Sequence, residues 1–319
     1  MEQVEPGYRK LTEGEVEALA REGASESAEI VAKAHLSLTG ASGKVGLYYD
    51  KKNHQWYLPV GRMPSTHIVK QSHVRLEKIV VNEQLCLNTA KNIGIDVPDS
   101  FIINNQKMRG ETVLFATERY DRVFRKENLM MDGLRVPYRL HQEDFAQAMG
   151  ISSPMKYEKN GGHYLRKMSD LIREYASNPL EDQKKLWDLC VFNWLIGNTD
   201  NHIKNVSLLY GEALNEICLA PAYDIVSTVI YENTTENMSL GIDGNYDIRE
   251  ITRESFAKEA AEIGMSRRFA MRRFDKMVEC FDDALDKATE KLSKEGFEAA
   301  EEVMTRIRQK GGISLLSRR

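Results

Sequence analysis

The chain has 319 residues, 42% of them hydrophobic, enough to bury a substantial core and to form two lobes or two small domains. Its formal charge is −4, from 44 Lys and Arg against 48 Asp and Glu, and its pI is near 6.1, so no overall basic field points to nucleic acid and no direct nucleic-acid binding is expected. No apolar run approaches the roughly 20 residues of a transmembrane helix, and Cys86, Cys190, Cys218 and Cys280 lie far apart without the spacing of a zinc site; a cytoplasmic protein with reduced core thiols and no membrane association is expected.

Residues 1–33 read as an acidic, helical leader, with eight glutamates against Arg9, Lys10 and Arg21 in the first thirty positions. From Ala34 the pattern turns to short apolar runs at 35–39, 45–49, 56–60 and 66–70, punctuated by Gly, Asn and Pro, which predicts an antiparallel sheet with a glycine-bearing turn between its first two strands. The helix expected over 78–93 places Ile79, Leu85, Cys86, Ala90 and Ile93 on one face, stops at Gly94, and is expected to pack on that sheet. Strands at 101–103 and 112–117 follow, ending at Glu118-Arg119-Tyr120-Asp121. Beyond this the periodicity is helical, over 142–150, 164–176 and 181–196, with two or three charged amphipathic helices over 253–308. Arg267-Arg268 and Arg272-Arg273 read as a solvated helix face. The predicted class is α+β: a β-sheet N-lobe over 34–121 and an all-helical C-lobe over 122–319.

The sharpest polar segment is Asn198-Thr199-Asp200-Asn201-His202-Ile203-Lys204-Asn205, set between an apolar helix and an apolar strand-like run at 206–209. An Asp followed five positions later by an Asn is the spacing of a protein-kinase catalytic loop. There the carboxylate takes the proton of the acceptor hydroxyl and the carboxamide oxygen binds magnesium. Both belong on one loop because metal and attacking oxygen meet at the same phosphoryl group. A helix C-terminal turn followed by an N-cap has the same spacing and stays open. Asp224, 24 residues after Asp200, is a second carboxylate suited to a hard cation such as Mg2+, or a plain turn residue.

Upstream, Thr39-Gly40-Ala41-Ser42-Gly43-Lys44 sits between two predicted strands, where backbone N–H groups freed by glycine can cradle phosphates. Its spacing is not that of a Walker A loop, and an ordinary hairpin fits it too. Lys70 at a strand end and Glu83 on the next helix suit a phosphate-binding lysine and its ion-pair partner, or two surface charges. Their order along the chain is that of a kinase: glycine turn, strand Lys, helix Glu, strand-end Glu118, Asp–Asn loop, later Asp.

At these residues the chain resembles the HipA family of bacterial toxin kinases. The resemblance runs through Thr66-His67-Ile68-Val69-Lys70, Asn82-Glu83, Val97-Pro98-Asp99, Glu118-Arg119-Tyr120-Asp121, Gln142-Glu143-Asp144-Phe145, Lys156-Tyr157-Glu158, the segment from Asn193 to Asn205, Ala220-Pro221 and Tyr223-Asp224. It covers about 37–227 in compatible order. It implies a bilobal protein-kinase-like fold using ATP and Mg2+. Asp200 is then the catalytic base, and Asn205 and Asp224 are the metal ligands. The segment 39–44 covers the phosphates, Lys70 pairs with them, Glu118, Arg119 and Tyr120 form the adenine hinge, and His202, Lys204 and Tyr223 lie at the nucleotide. Ser37 aligns with a serine that the family autophosphorylates, and Thr39 is a second hydroxyl nearby. A phosphate at either would add about −1.5 to −2 charge where ATP binds and switch the enzyme off.

Full-length family members carry a further N-terminal subdomain ahead of the glycine-rich loop, so the chain resembles the short, HipT-like form, in which that subdomain is a separate protein. Family partners are a protein substrate, aminoacyl-tRNA synthetases among them, and a small antitoxin encoded nearby. A HipA-like effector kinase outside a toxin–antitoxin system, and a catalytically silent binding protein that keeps the fold, are the competing readings.

Overall fold

The computed structural model describes residues 5–26, 44–71, 76–103, 113–127, 129–159 and 161–316. The predicted strand at 35–39, the glycine turn, and with them Ser37, Thr39, Gly40, Ala41, Ser42 and Gly43 lie outside the described residues.

The chain divides into a sheet unit, Met1–Val80 with Pro98–Leu140, and a helical unit, Val81–Val97 with His141–Arg319. In the sheet unit come β1 (Gly7–Lys10), α1 (Glu13–Glu26), β2 (Lys44–Asp50), β3 (Gln55–Val60), β4 (His67–Gln71), the start of α2 (Ile79–Ile93), β5 (Ser100–Ile103) and β6 (Leu114–Glu118). The six strands form one antiparallel sheet in the order β1–β3–β2–β4–β6–β5. Successive side chains of a strand point to opposite faces, and the sequence uses both. Val45 and Leu47 on β2, Trp56 and Leu58 on β3 and Val69 on β4 make one core with Leu11 and with Val16 and Leu19 of α1. On the alternate positions Tyr48 joins Tyr8, Met63 and Leu134 in a second cluster. Each such side chain contributes about 1.5–3 kcal/mol when fully buried.

Residues 7–20 are therefore not a leader apart from the N-lobe. Gly7–Lys10 pairs with β3 as the edge strand, and α1 is fastened at its start by a capping box. Thr12 Oγ1 accepts the N–H of Glu15 at 3.2 Å while the Glu15 carboxylate accepts that of Thr12 at 2.9 Å. On α1, Glu13 is exposed and Glu15 and Glu17 half-buried, while Val16 and Leu19 of the same helix are core. The helix predicted to cover the sheet, α2, instead belongs mainly to the helical unit, where Asn82 Nδ2 donates to Ser227 O at 2.9 Å and Asn92 Nδ2 to Ala284 O at 3.0 Å.

Four two-residue strands close the sheet unit: β7 (Arg122–Val123), β8 (Met130–Met131), β9 (Leu134–Arg135) and β10 (Tyr138–Arg139). The helical unit continues with β11 (Gln142–Asp144), α3 (Phe145–Ala148), α4 (Tyr164–Tyr175), α5 (Pro179–Ile196), β12 (Ser207–Tyr210), β13 (Ile217–Leu219), β14 (Asn237–Ile242), β15 (Asn245–Asp247), α6 (Arg253–Glu262), α7 (Arg267–Lys294), α8 (Ala299–Lys310) and α9 (Ile313–Leu316). This unit is mostly helical rather than wholly so, since β11–β12–β13 and β14–β15 form small antiparallel sheets. The helix predicted over 142–150 starts only at Phe145. Residues Gln142–Asp144 find a strand partner in β12, and Asp144 then caps α3 with a reciprocal bond to Gln147.

Helix α5 is the axis of this unit, with Trp187, Phe192 and Trp194 fully buried. Its buried Asp188 accepts Arg273 Nε of α7 at 2.7 Å and also its Nη2, so Arg273 is an internal ion-pair partner and not part of a solvated basic face. Cys86 and Cys190 are core thiols as predicted, but Cys218 is exposed on β13 and Cys280 half-buried. Among the described residues no helix is long and apolar enough to cross a membrane.

Candidate active site

The Asp200 loop begins where α5 ends. Gly197 caps the helix with φ +73°, and its N–H returns to Asn193 and Trp194 carbonyls. The next residues are anchored through both side chain and backbone. Asn198 Nδ2 donates to Asn193 Oδ1 at 2.8 Å, and Asn198 Oδ1 accepts the N–H of Asp200 at 3.2 Å. The N–H of Thr199 donates to Thr228 Oγ1 at 2.7 Å, and its carbonyl accepts both the N–H and the hydroxyl of Ser239, at 3.0 and 2.5 Å. A buried Ile203 pins the middle of the loop.

Asn205 closes the loop on Asp200. Its Nδ2 donates to Asp200 O at 3.0 Å, and the same carbonyl accepts the N–H of His202 at 2.9 Å. A carbonyl can only accept, so this contact fixes which end of the carboxamide is nitrogen and leaves Oδ1 as the hard oxygen a magnesium ion takes. The spacing of five thus builds a closed loop with a carboxylate at one end and a carboxamide oxygen at the other. The carboxylate of Asp200 is exposed, and its Oδ1 accepts the hydroxyl of Tyr157 at 2.9 Å.

Asp224 has φ +55°, a left-handed conformation that Asp tolerates better than most residues. Contacts on both sides hold it there. Ala222 N donates to Asp96 O at 2.8 Å. Ser227 donates from its hydroxyl to Ile196 O at 2.6 Å and from its N–H to Asn82 Oδ1 at 3.1 Å. Tyr223 ties the two segments together: its hydroxyl donates to Lys204 O at 3.0 Å and therefore accepts from Ser207 Oγ at 2.6 Å. The Lys204 ammonium in turn meets Asp144 at 2.7 Å. The polar ends of Lys204 and Tyr223, expected at the nucleotide, hold the loop to its own unit.

His202 is buried beside this loop, with Lys156 Nζ 2.8 Å from its Nε2 and the Tyr157 ring edge-on at 5.3 Å. Burial holds its pKa below the ordinary value; the Asp200 carboxylate pulls upward and the Lys156 ammonium downward. Burial and then Asp200 push the Tyr157 hydroxyl up to about 12, so it stays a donor. The family resemblance runs through Lys156-Tyr157-Glu158 but implies no role for Lys156 or Tyr157.

The remaining predicted residues lie as follows. Lys70 and Lys44 face each other in register on β4 and β2, and Lys70 is buried. Glu83 is buried on the part of α2 that belongs to the helical unit. Glu118 ends β6, paired with Lys51 at 2.7 Å. The N–H groups of Glu118 and Arg119 donate to Asp99 O and Thr66 O, both at 2.8 Å, and the Arg119 guanidinium forks onto Asp121. Burial pushes the Asp121 pKa up, but Arg119 and Arg122 outweigh it and hold the carboxyl below its usual range. Tyr120 sits between these two fixed points. Among the described residues no three His, Cys, Asp or Glu side chains cluster as a metal cage; a magnesium ion that keeps waters and phosphate oxygens needs only one or two protein oxygens, and Asn205 Oδ1 with Asp224 fits that requirement.

An antiparallel sheet unit followed by a helical unit bearing an Asp–Asn loop and a strained Asp defines an α+β protein with a protein-kinase-like fold. The profile of the HipA-like C-terminal domain matches residues 36–285, and the chain belongs to that family. It is 32% identical over 258 residues to Y4mE of Sinorhizobium fredii, which carries a provisional kinase name, covering 81% of this chain and 58% of that protein. It is 30% identical over 247 residues to the serine/threonine-protein kinase toxin HipA of Shewanella oneidensis, covering 74% of this chain and 53% of the toxin. The chain thus spans a little over half the length of these relatives. The structure of the Shewanella HipA, HipB and operator DNA complex contains a chain that superposes with a TM-score of 0.71 at 21% identity, over 97% of this chain and 74% of that one, which shows the fold.

Proposed function

We propose that this protein is an ATP- and magnesium-dependent serine/threonine kinase of the HipA type, acting in the cytoplasm on a hydroxyl of a protein substrate. The observation that carries the reading is the closed loop in which Asn205 Nδ2 binds the carbonyl of Asp200, so that one short segment presents a carboxylate and a carboxamide oxygen together.

Asp200 accepts the proton of the acceptor hydroxyl as its oxygen bonds to the γ-phosphorus of ATP and the bond from that phosphorus to the β–γ bridging oxygen breaks, releasing ADP. Asn205 and Asp224 would hold Mg2+, which draws charge from the phosphate oxygens when bound. Lys70 neutralises the α- and β-phosphates with Glu83 as its partner, and the segment Glu118–Tyr120 recognises the base. The N–H groups of Glu118 and Arg119 already donate to backbone carbonyls, so base recognition falls to carbonyls or to Tyr120. Residues Thr39 to Lys44 cover the phosphates, and autophosphorylation of Ser37 or Thr39 inactivates the enzyme by charge repulsion. The acceptor protein belongs to translation, as an aminoacyl-tRNA synthetase does, and a small antitoxin is the regulatory partner.

The test is transfer of label from γ-labelled ATP with Mg2+ to the protein itself and to a cell lysate. Wild type is expected to label both; Asp200→Asn is expected to lose at least about a thousandfold while melting at the same temperature. Absence of label from every component with wild type, and identical behaviour of Asp200→Asn, defeats the reading in favour of a silent binding protein.

A further inference from the structure

Two adjacent side chains that the phosphotransfer scheme leaves without a role reach the catalytic loop from outside it. Lys156 and Tyr157 follow the short turn Ser153–Met155, and Glu158 after them donates its N–H to Ser239 O at 3.0 Å. Ser239 also binds the carbonyl of Thr199, so one strand, β14, sets the position of both loops.

Lys156 Nζ lies 2.8 Å from His202 Nε2 and 4.9 Å from the centre of the Tyr157 ring. An ammonium can only donate, so Nε2 must be the acceptor and the imidazole carries its proton on Nδ1. That Nδ1 is buried without a hydrogen-bond partner among the described residues, in a residue only 5% exposed. Buried donors are almost always satisfied, and an orphan calls for an acceptor supplied from elsewhere. The charges felt by the ring come from Asp200, Asp224 and Lys156, the groups around the proposed phosphate site. Independently, Tyr157 Oη occupies Oδ1 of Asp200 at 2.9 Å.

We propose that Lys156 and Tyr157 are positioning residues: Lys156 fixes His202 as its Nδ1–H tautomer, making that N–H a donor to an anionic oxygen of the bound nucleotide, and Tyr157 holds one oxygen of Asp200 and leaves the other to the acceptor hydroxyl. The identity of the ligand rests on the kinase reading; the tautomer does not.

The first measurement therefore needs no catalysis. Imidazole nitrogen resonances of 15N-labelled protein, assigned to His202 by their loss in His202→Gln, are expected to show the Nδ1–H tautomer. Lys156→Met is expected to shift the ring toward Nε2–H, and Lys156→Gln, which retains an N–H donor, to restore Nδ1–H. An Nε2–H wild type, or a pattern unmoved by Lys156→Met, overturns the role of Lys156. The second measurement is kinetic. Tyr157→Phe keeps the ring against His202 and is expected to lower kcat roughly tenfold, as befits loss of one hydrogen bond to a charged group, with KM for ATP within about twofold. Lys156→Met is expected to weaken MgATP binding about fivefold or more, and Lys156→Gln to recover most of it. An unchanged kcat in Tyr157→Phe, alongside an active wild type, overturns the Tyr157 half. A wild type that transfers no phosphate overturns the kinase reading and the Tyr157 half together, and Lys156 is then decided by the spectra alone.

Discussion

At Gly197 the backbone takes φ +73°, and a Cβ there would stand 2.1 Å from Val229 Cγ2. Two costs coincide at this position: about 1 kcal/mol for a non-glycine residue in the left-handed region and about 1–3 kcal/mol for overpacking. Gly197→Ala is expected to destabilise the protein by roughly 2–4 kcal/mol in urea titrations. Val229→Ala relieves the clash but not the backbone strain, so the double variant should be less unstable than the sum of the single changes by at least about 1 kcal/mol; strict additivity would show that the clash is not what matters. The sequence made some residues at this scale easy to read. Asp200 and Asn205 share one loop, so their spacing carries their relation. Lys156 and Tyr157 meet that loop from more than forty positions away, and no local pattern predicts that approach. Lys204 and Tyr223 were legible as important but not as props, because their partners Asp144 and Ser207 become neighbours only through folding.

Among the elements, α6 and β14 enclose a pair of carboxyl groups behind the site. Glu158 accepts the N–H groups of Tyr164 and Gly241, and Glu259 accepts that of Asp243 at 2.7 Å. Burial first, and then the neighbouring Glu158, Glu262 and Asp243, push the Glu259 pKa up to about 7 against the single N–H of Asp243. Lys258 of the same helix is paired with Asp243. A carboxyl whose folded pKa is raised binds a proton more tightly folded than unfolded. Its contribution is therefore fully present below the ordinary pKa of about 4.5 and is lost as pH climbs toward about 7. Glu259→Gln is always neutral and keeps an acceptor for Asp243. Its melting temperature is expected to match wild type near pH 4 and to exceed it by a margin that grows to about pH 7 and then levels off; a margin independent of pH would remove the buried charge as its cause. Helices were the elements the sequence announced best, since the apolar stripes of α5 and α7 repeat over many turns. The three residues of β11 fall inside a helical pattern because a strand that short has no period to detect, and only its pairing with β12 defines it.

For the whole molecule, the helical unit is discontinuous in sequence, built from Val81–Val97 and His141–Arg319. Leu85, Cys86 and Ala90 of α2 are completely buried, and Asn82 exchanges hydrogen bonds with Ser227, three residues after Asp224. A fragment of residues 141–319 lacks that helix and is expected to melt without a cooperative transition in circular dichroism, with a peptide of residues 78–97 restoring one. Cooperative melting of the fragment alone at the temperature of the full chain would show that α2 is dispensable to the unit.

The sequence by itself determined the α+β class, the order of the principal strands and helices, the family, and the loop that joins Asp200 to Asn205, because each is written in local periodicity or short spacing. Tertiary structure alone decided that residues 7–20 complete the sheet unit, that α2 belongs largely to the helical unit, that Arg273 is the ion-pair partner of Asp188, and that Lys156 and Tyr157 contact His202 and Asp200. Those relations depend on which surfaces meet and on which buried polar groups then need partners, and neither is encoded in any one stretch of chain.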